Sequence, residues 1–204
     1  MSGAIAVFVK TPGVSPVKTR LAVNLGKQNA EAFHIASSRA VESIVQSLSE
    51  QENIESYYAV AEPSTLNHIY WQNLSSIWQG EGGLGERMAH IYQSLLSQHD
   101  YVILVGADSP QMTVKQLQQA TDWLPHNEQA RLVFAPSVDG GFWLFGGNCH
   151  IPQSVWTDVT YSQSDTGEQF ADKIKKLGDL KLLETLRDVD EVDDLIHLQS
   201  DLNT

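Results

Sequence analysis

The fold turns on the stretch Tyr101-Val-Ile-Leu-Val-Gly-Ala-Asp108-Ser109-Pro110. Its run of aromatic and aliphatic residues, closed by glycine and proline, has the length and β-branched content of a strand buried on both faces, as parallel sheets require. The strand runs out into a carboxylate at Asp108. An acid there stands at the carboxyl edge of the sheet, where open α/β folds bind ligands. Two further acid groups follow strand-like runs: Asp139 after Leu132-Val-Phe-Ala-Pro136, and Asp188 with Asp190 after Leu182-Leu-Glu-Thr-Leu186. Three strand ends bearing acids point to one metal-dependent site.

Working outward, similar apolar runs at 4–9, 56–61, 76–78, 131–135, 142–145 and 181–186 alternate with amphipathic stretches. Phe33, Ala36, Ala40, Ile44 and Leu48 recur at steps of three and four, as do Met88, Ile91 and Leu95, and then Val114, Leu117 and Leu124. Each set predicts a helix laying one face on a sheet. The alternation predicts a single α/β domain over 1–204, with a mainly parallel sheet covered by helices on both faces. The run at 142–145 follows a Gly-Gly turn and is expected to lie antiparallel. The sequence shows no internal repeat, low-complexity tract or linker.

With 204 residues, 42% of them hydrophobic, the chain can bury one sizeable core. Its formal net charge of −12 opposes nonspecific binding to nucleic acid or anionic membrane, which depends on neutralising phosphates with Lys and Arg. Neither partner is expected. Cys149 is the only cysteine, so the chain can form no internal disulfide. The apolar start at 4–9 is too short for a signal core or a membrane span. These features predict a soluble, cytoplasmic protein acting on small molecules.

The loop Lys10-Thr11-Pro12-Gly13-Val14-Ser15-Pro16-Val17-Lys18-Thr19-Arg20 places three cations, hydroxyls and a glycine between the first strand and the first helix. Such a loop can wrap phosphates, helped by free N–H groups at the helix start. The plain alternative is a solvated loop with surface lysines. A Walker A loop is absent. Gly80-Glu81-Gly82-Gly83-Leu84-Gly85 satisfies G-x-G-x-x-G, yet the strand before it is short and Asp100, about twenty residues on, precedes a strand instead of ending one. It reads better as a flexible turn bringing backbone to a ligand and starting a helix; a turn without ligand is the alternative.

Asp108 has bland alternatives as the N-cap of a helix near Thr113 or as a turn former. Asp190-Glu-Val-Asp193 likewise resembles a cap before a helix at 192–200. Their company favours a metal. Magnesium and manganese take hard oxygen ligands, bind through one or two protein carboxylates and leave the remaining positions to water and phosphate. Asp108 and Asp190 would suffice. The seven histidines show no metal spacing and are read as structural or surface residues.

Taken together, 9–21, 82–88, 106–110, 136–144 and 186–190 resemble successive signatures of bacterial glycosyltransferase-like proteins. That family is a branch of the nucleotide-diphospho-sugar transferase superfamily related to 2-phospholactate guanylyltransferase, with some members named for arsenosugar biosynthesis. The resemblance implies the GT-A fold, with Mg²⁺ or Mn²⁺ and a nucleotide sugar or NTP as donor. Lys10, Thr11, Gly13, Lys18 and Arg20 would hold the donor phosphates, with Gly83 and Gly85 approaching the nucleotide. Asp108 and Asp190 would bind the metal, and Asp188 is a weaker candidate. Asp139, Gly140, Gly141 and Trp143 would face the acceptor. Phe142-Trp143 replaces a more usual tyrosine pair, and Tyr161-Ser162 a more usual Trp-Ser.

The implied catalytic set is Asp108, Lys18 and Asp139. Asp139 would serve as base for glycosyl transfer to a small acceptor, the favoured reading. Nucleotidyl transfer onto a phosphorylated acceptor, and a nucleotide-sensing domain without turnover, stay open. An aspartyl phosphatase is disfavoured, since no second acid stands two residues after Asp108.

Overall fold

The structure, a computed structural model, describes residues 1–50, 53–126 and 128–201. Seven strands form one sheet: β1 (Gly3–Val9), β2 (Ile54–Val60), β3 (Ser75–Trp78), β4 (Tyr101–Gly106), β5 (Arg131–Pro136), β6 (Phe142–Gly147) and β7 (Asp179–Leu182). The helices are α1 (Thr19–Leu25), α2 (Lys27–Ser49), α3 (Leu84–Leu96), α4 (Val114–Trp123), α5 (Gln153–Thr157), α6 (Thr166–Ile174) and α7 (Val192–Asp201). Strand order is β3-β2-β1-β4-β6-β5-β7, with β6 antiparallel to both neighbours and every other pairing parallel. The expected antiparallel strand is therefore β6. All parallel strands end on one edge, and β6 begins there, with Phe142 opposite Pro136.

β1 and β4 lie at the centre of the sheet and are almost wholly buried. Each fully buried Val, Leu or Ile there contributes about 1.5–3 kcal/mol, which fixes these strands before any polar detail. Helices α2 and α4 cover one face, over Val7, Ile103 and Val133. Helices α3, α5 and α6 cover the other, over Ala6, Leu104 and Phe145.

Two expectations need correction. The buried stripe of α2 is Ala30, His34, Ser37, Ser38, Val41, Glu42, Val45 and Leu48, and Ala36 of the predicted stripe is exposed. Its polar members are tolerated because each is bonded: Ser37 Oγ donates to the Ala107 carbonyl at 2.5 Å, and Glu42 accepts from Tyr58, Arg39 and Asn73. The last strand spans 179–182, not 181–186. Beyond it the chain stays beside β5 through Leu183 N–H to Phe134 O and Leu186 N–H to Pro136 O, then leaves the ladder. That departure carries residues 186–190 across the edge of the sheet.

Candidate active site

The segment after β7 closes the site. Val138 N–H donates to Leu186 O, and Val189 N–H donates to Asp108 O at 3.0 Å, so residues 186–190 lie against the ends of β5 and β4. Asp188 clamps this arrangement: Oδ1 accepts from Ser109 Oγ at 2.5 Å and Oδ2 from Ser137 Oγ at 3.1 Å. Burial, aided by the negative charges of Asp108 and Asp139, outweighs the Ser109 hydrogen bond and pushes the Asp188 carboxyl up to about 6. Both its oxygens are engaged, so its role here is to tie three loops together.

Asp108 and Asp190 converge on one group, the ammonium of Lys18. Nζ lies 2.7 Å from Asp108 Oδ1 and 3.0 Å from Asp190 Oδ1, and donates to Val189 O at 2.6 Å. Only 3% of the Lys18 side chain is exposed. Burial alone would lower its pKa, but the two carboxylates outweigh burial and hold it above the ordinary lysine value. The ammonium is thus charged and caged by three oxygens. Its backbone sits at φ 46°, ψ 45°, the left-handed region that a non-glycine residue adopts at a cost of about 1–2 kcal/mol. This turn aims Lys18 inward while the exposed Arg20, two residues on, approaches Asp190 Oδ2 at 3.8 Å.

The alternative capping roles fall to other residues. Thr113 caps α4 in a reciprocal arrangement with Gln116, which leaves Asp108 out of that cap. Asp194 reaches back to the N–H groups of Asp190 and Glu191, which leaves the Asp190 carboxylate for Lys18. Asp108 Oδ1 is buried and receives no hydrogen bond of good geometry, only the ion pair. Beyond that ion pair the Asp108 and Asp190 side chains are 43% and 35% exposed and line a cavity at the sheet edge, so their hard carboxylate oxygens fit Mg²⁺ or Mn²⁺. Among the described residues no three metal-ligating side chains cluster, so a bound ion would take its other ligands from donor and water.

His34 lies beside this group, unforeseen in the sequence. Its Nδ1 is 3.9 Å from Asp108 Oδ1, and its Nε2 meets the Lys10 carbonyl at 3.0 Å. Burial depresses its pKa. The signal was its place on α2, visible only once the buried face of that helix is known.

A cavity of about 460 Å³ opens at this edge and gathers Arg20, Asp108, Asp139, Asp190, Gly141 and Tyr161, among others. Asp139 is exposed, and its Oδ1 accepts from Gly141 N–H at 3.0 Å. Gly140 has φ +89°, and a Cβ there would fall on the Ser164 carbonyl, so glycine lets the 164–167 segment close against the turn. Trp143 borders the cavity but is buried, its indole N–H on the Glu184 carbonyl.

Lys10, Thr11, Gly13, Gly83 and Gly85 do not line this cavity themselves. Thr11 is buried, with its hydroxyl between Thr65 Oγ1 and Trp71 Nε1 and its N–H on Glu62. Gly83 N–H is taken by the Glu86 carboxylate, capping α3, and a Cβ on Gly85 would strike the Trp156 carbonyl. Lys10 is exposed, and Gly13 N–H donates to Glu31. Gly13 lines a separate cleft of about 350 Å³ under the first loop.

This sheet order, with its single reversed strand and acids at the carboxyl edge, defines the GT-A nucleotide-diphospho-sugar transferase fold. The chain belongs to the family described as uncharacterized protein conserved in bacteria (DUF2064), whose model matches residues 25–163. A comparison with curated proteins finds no match. Among solved structures, a Desulfovibrio desulfuricans G20 protein provisionally assigned as a nucleotide-diphospho-sugar transferase superposes with a TM-score of 0.85 at 24% identity, over 97% of this chain and 87% of that one. A nucleotidyl transferase from Methanothermobacter gives 0.61 at 9% identity, over 99% and 98%. Glucosyl-3-phosphoglycerate synthase from Mycobacterium tuberculosis, solved with Mn²⁺, uridine diphosphate and phosphoglyceric acid, gives 0.55 at 9%, over 98% and 74%. Among the described residues, no helix is long and apolar enough to cross a membrane.

Proposed function

We propose that this protein is a divalent-metal-dependent transferase that moves a glycosyl group from a nucleotide sugar to a small-molecule acceptor. The observation that carries the reading is the meeting of Asp108 and Asp190 on the Lys18 ammonium beside the 460 Å³ cavity. Carboxylates outnumber cations around that cavity. An anionic donor would meet net repulsion there, so Asp108 and Asp190 would hold a divalent ion, which would supply Lewis-acid neutralisation of phosphate charge.

The remaining steps belong to the chain's own groups. Arg20, exposed beside the acids, receives donor phosphate oxygens, and Lys18 holds Asp108 and Asp190 together from within. Asp139 Oδ1 is oriented by Gly141 N–H, which leaves Oδ2 to take the acceptor hydroxyl proton. The acceptor oxygen bonds to the anomeric carbon as the bond from that carbon to the donor phosphate oxygen breaks, its electron pair leaving with the phosphate.

A thermal-shift panel of nucleoside triphosphates and nucleotide sugars, with and without Mn²⁺, tests the reading. At least one nucleotide sugar is expected to raise Tm by several degrees only with metal, and Asp108→Asn to lose that gain. Stabilisation independent of metal and unchanged in the variant overturns the metal assignment. In turnover, release of nucleoside diphosphate supports glycosyl transfer. Pyrophosphate release supports nucleotidyl transfer instead, and binding without any product supports a sensing domain.

A further inference from the structure

The cavity lining is of two kinds. Asp108, Asp190 and Arg20 form the charged part of its lining, whereas Phe8, Met88, Leu104, Phe142 and Tyr161 belong to the apolar cluster under α3, α5 and α6, with Leu84 at the start of the helix that carries Met88. The aromatic members offer carbon, not polar atoms. Phe142 stacks on Phe170 with centroids 5.2 Å apart and planes 10° from parallel, and the Tyr161 hydroxyl is engaged by the Trp156 carbonyl at 2.8 Å. Leu84 is 47% exposed at the start of α3, an apolar side chain left open to the cavity. Apolar surface of this kind favours a ligand that removes it from water.

Charge narrows the ligand further. Arg20 is the only Lys or Arg among the described residues lining the cavity, and it stands beside Asp190 at the donor end. The charged residue beside Phe142 in the chain is Asp139, three residues before it, and the lining also carries the polar side chains of Ser162, Gln163, Ser164 and Thr166. A phosphate or carboxylate on the acceptor would meet a carboxylate and no cation.

Resting on the transferase reading, we infer that the acceptor is an uncharged or cationic small molecule with an apolar body, seated on the Leu84–Met88–Phe142–Tyr161 wall and presenting a hydroxyl to Asp139. Phosphorylated and carboxylated acceptors are excluded by charge, which also disfavours nucleotidyl transfer onto a phosphate.

Ligand-observed NMR on the full chain tests this with 2-phenylethanol, phenethylamine and phenyl phosphate as probes. The donor end is filled by whichever nucleoside diphosphate raises Tm with Mn²⁺. Phenylethanol and phenethylamine are expected to bind at least about tenfold more tightly than phenyl phosphate, since one unfavourable close charge contact outweighs a tenfold factor. Leu84→Asp, at an exposed position that should preserve folding, is expected to abolish phenylethanol binding, and Asp139→Lys to reverse the preference towards phenyl phosphate. Phenyl phosphate binding as well as or better than the others, absence of binding by all three, or indifference to both variants overturns the inference. If no nucleoside diphosphate raises Tm, the donor reading fails separately; the same panel run on the free protein still decides the chemistry of the wall.

Discussion

Lys18 is a lysine in left-handed backbone with its ammonium buried between two carboxylates, a combination that costs strain and desolvation and is held by the ends of three loops. Asp188 is a buried carboxyl whose surroundings shift its titration upward. Because burial first, then Asp108 and Asp139, raise its folded pKa from 3.8 to about 6, the folded chain binds that proton more tightly than the unfolded one. Below 3.8 both states are protonated. Between 3.8 and 6 the unfolded state ionises first, so this group lowers stability by up to about 3 kcal/mol as pH rises through the window and adds no further slope above it. Asp188→Asn is expected to flatten urea-unfolding free energies between pH 4 and 7, and an unchanged slope would assign the effect to another group. At this scale the acids were readable, since each follows a strand and strand ends share an edge. The partners of Thr11, Gly83 and Gly85 within the protein were not. Which groups pack on Thr11 and Gly85 depends on Trp71 and Trp156, far along the chain, whereas the Glu86 cap on Gly83 is local.

Elements were legible where hydrophobic pattern alone decides them. β4, fully apolar, and β6, after its Gly-Gly turn, needed no tertiary information. Helix α2 was misphased because its inner face carries His34, Ser37 and Glu42, whose burial is tolerated only through partners on other elements. Helices α5 and α6 escaped because five and nine residues give few turns of periodicity. The packing of α3 against α5 sets a sharper demand. Gly85 sits in the first turn of α3 where a Cβ would strike backbone at Trp156 and ring carbon of Tyr161. Backbone cannot swing aside like a long side chain, so Gly85→Ala should lower stability by about 1–3 kcal/mol despite alanine's better helix propensity. Chemical denaturation reads this directly; a stabilised variant would mean that α3 and α5 can separate. Since Leu84 and Tyr161 line the apolar wall, the same substitution should also weaken acceptor probes more than donor nucleotides.

For the whole molecule, strand order does what sequence distance conceals. β1 and β4 are neighbours, and the chain beyond β7 crosses back over the ends of β5 and β4, so Lys18, Asp108 and Asp190 meet although up to 172 positions separate them. The charge of the molecule then acts on whatever approaches that edge. At −12, with carboxylates dominating the cavity, the long-range field repels a free nucleotide anion, although Lys10, Lys18 and Arg20 cluster on the first loop. Two signs are therefore possible for the salt dependence of nucleotide association, and the structure selects one. Lys18 is neutralised within its cage and Arg20 lies against Asp190, so the basic loop presents less charge to solvent than its sequence promises. Screening should relieve net repulsion, because the Debye length shrinks from about 30 Å at 10 mM salt to about 8 Å at 150 mM. Stopped-flow association of a nucleotide without divalent metal is expected to speed up roughly two- to fivefold across that range. With Mn²⁺ bound the repulsion is offset locally and the salt dependence should flatten. An association rate that falls with salt would show that Lys10 and Arg20, not the carboxylates, govern the field at the mouth of the site.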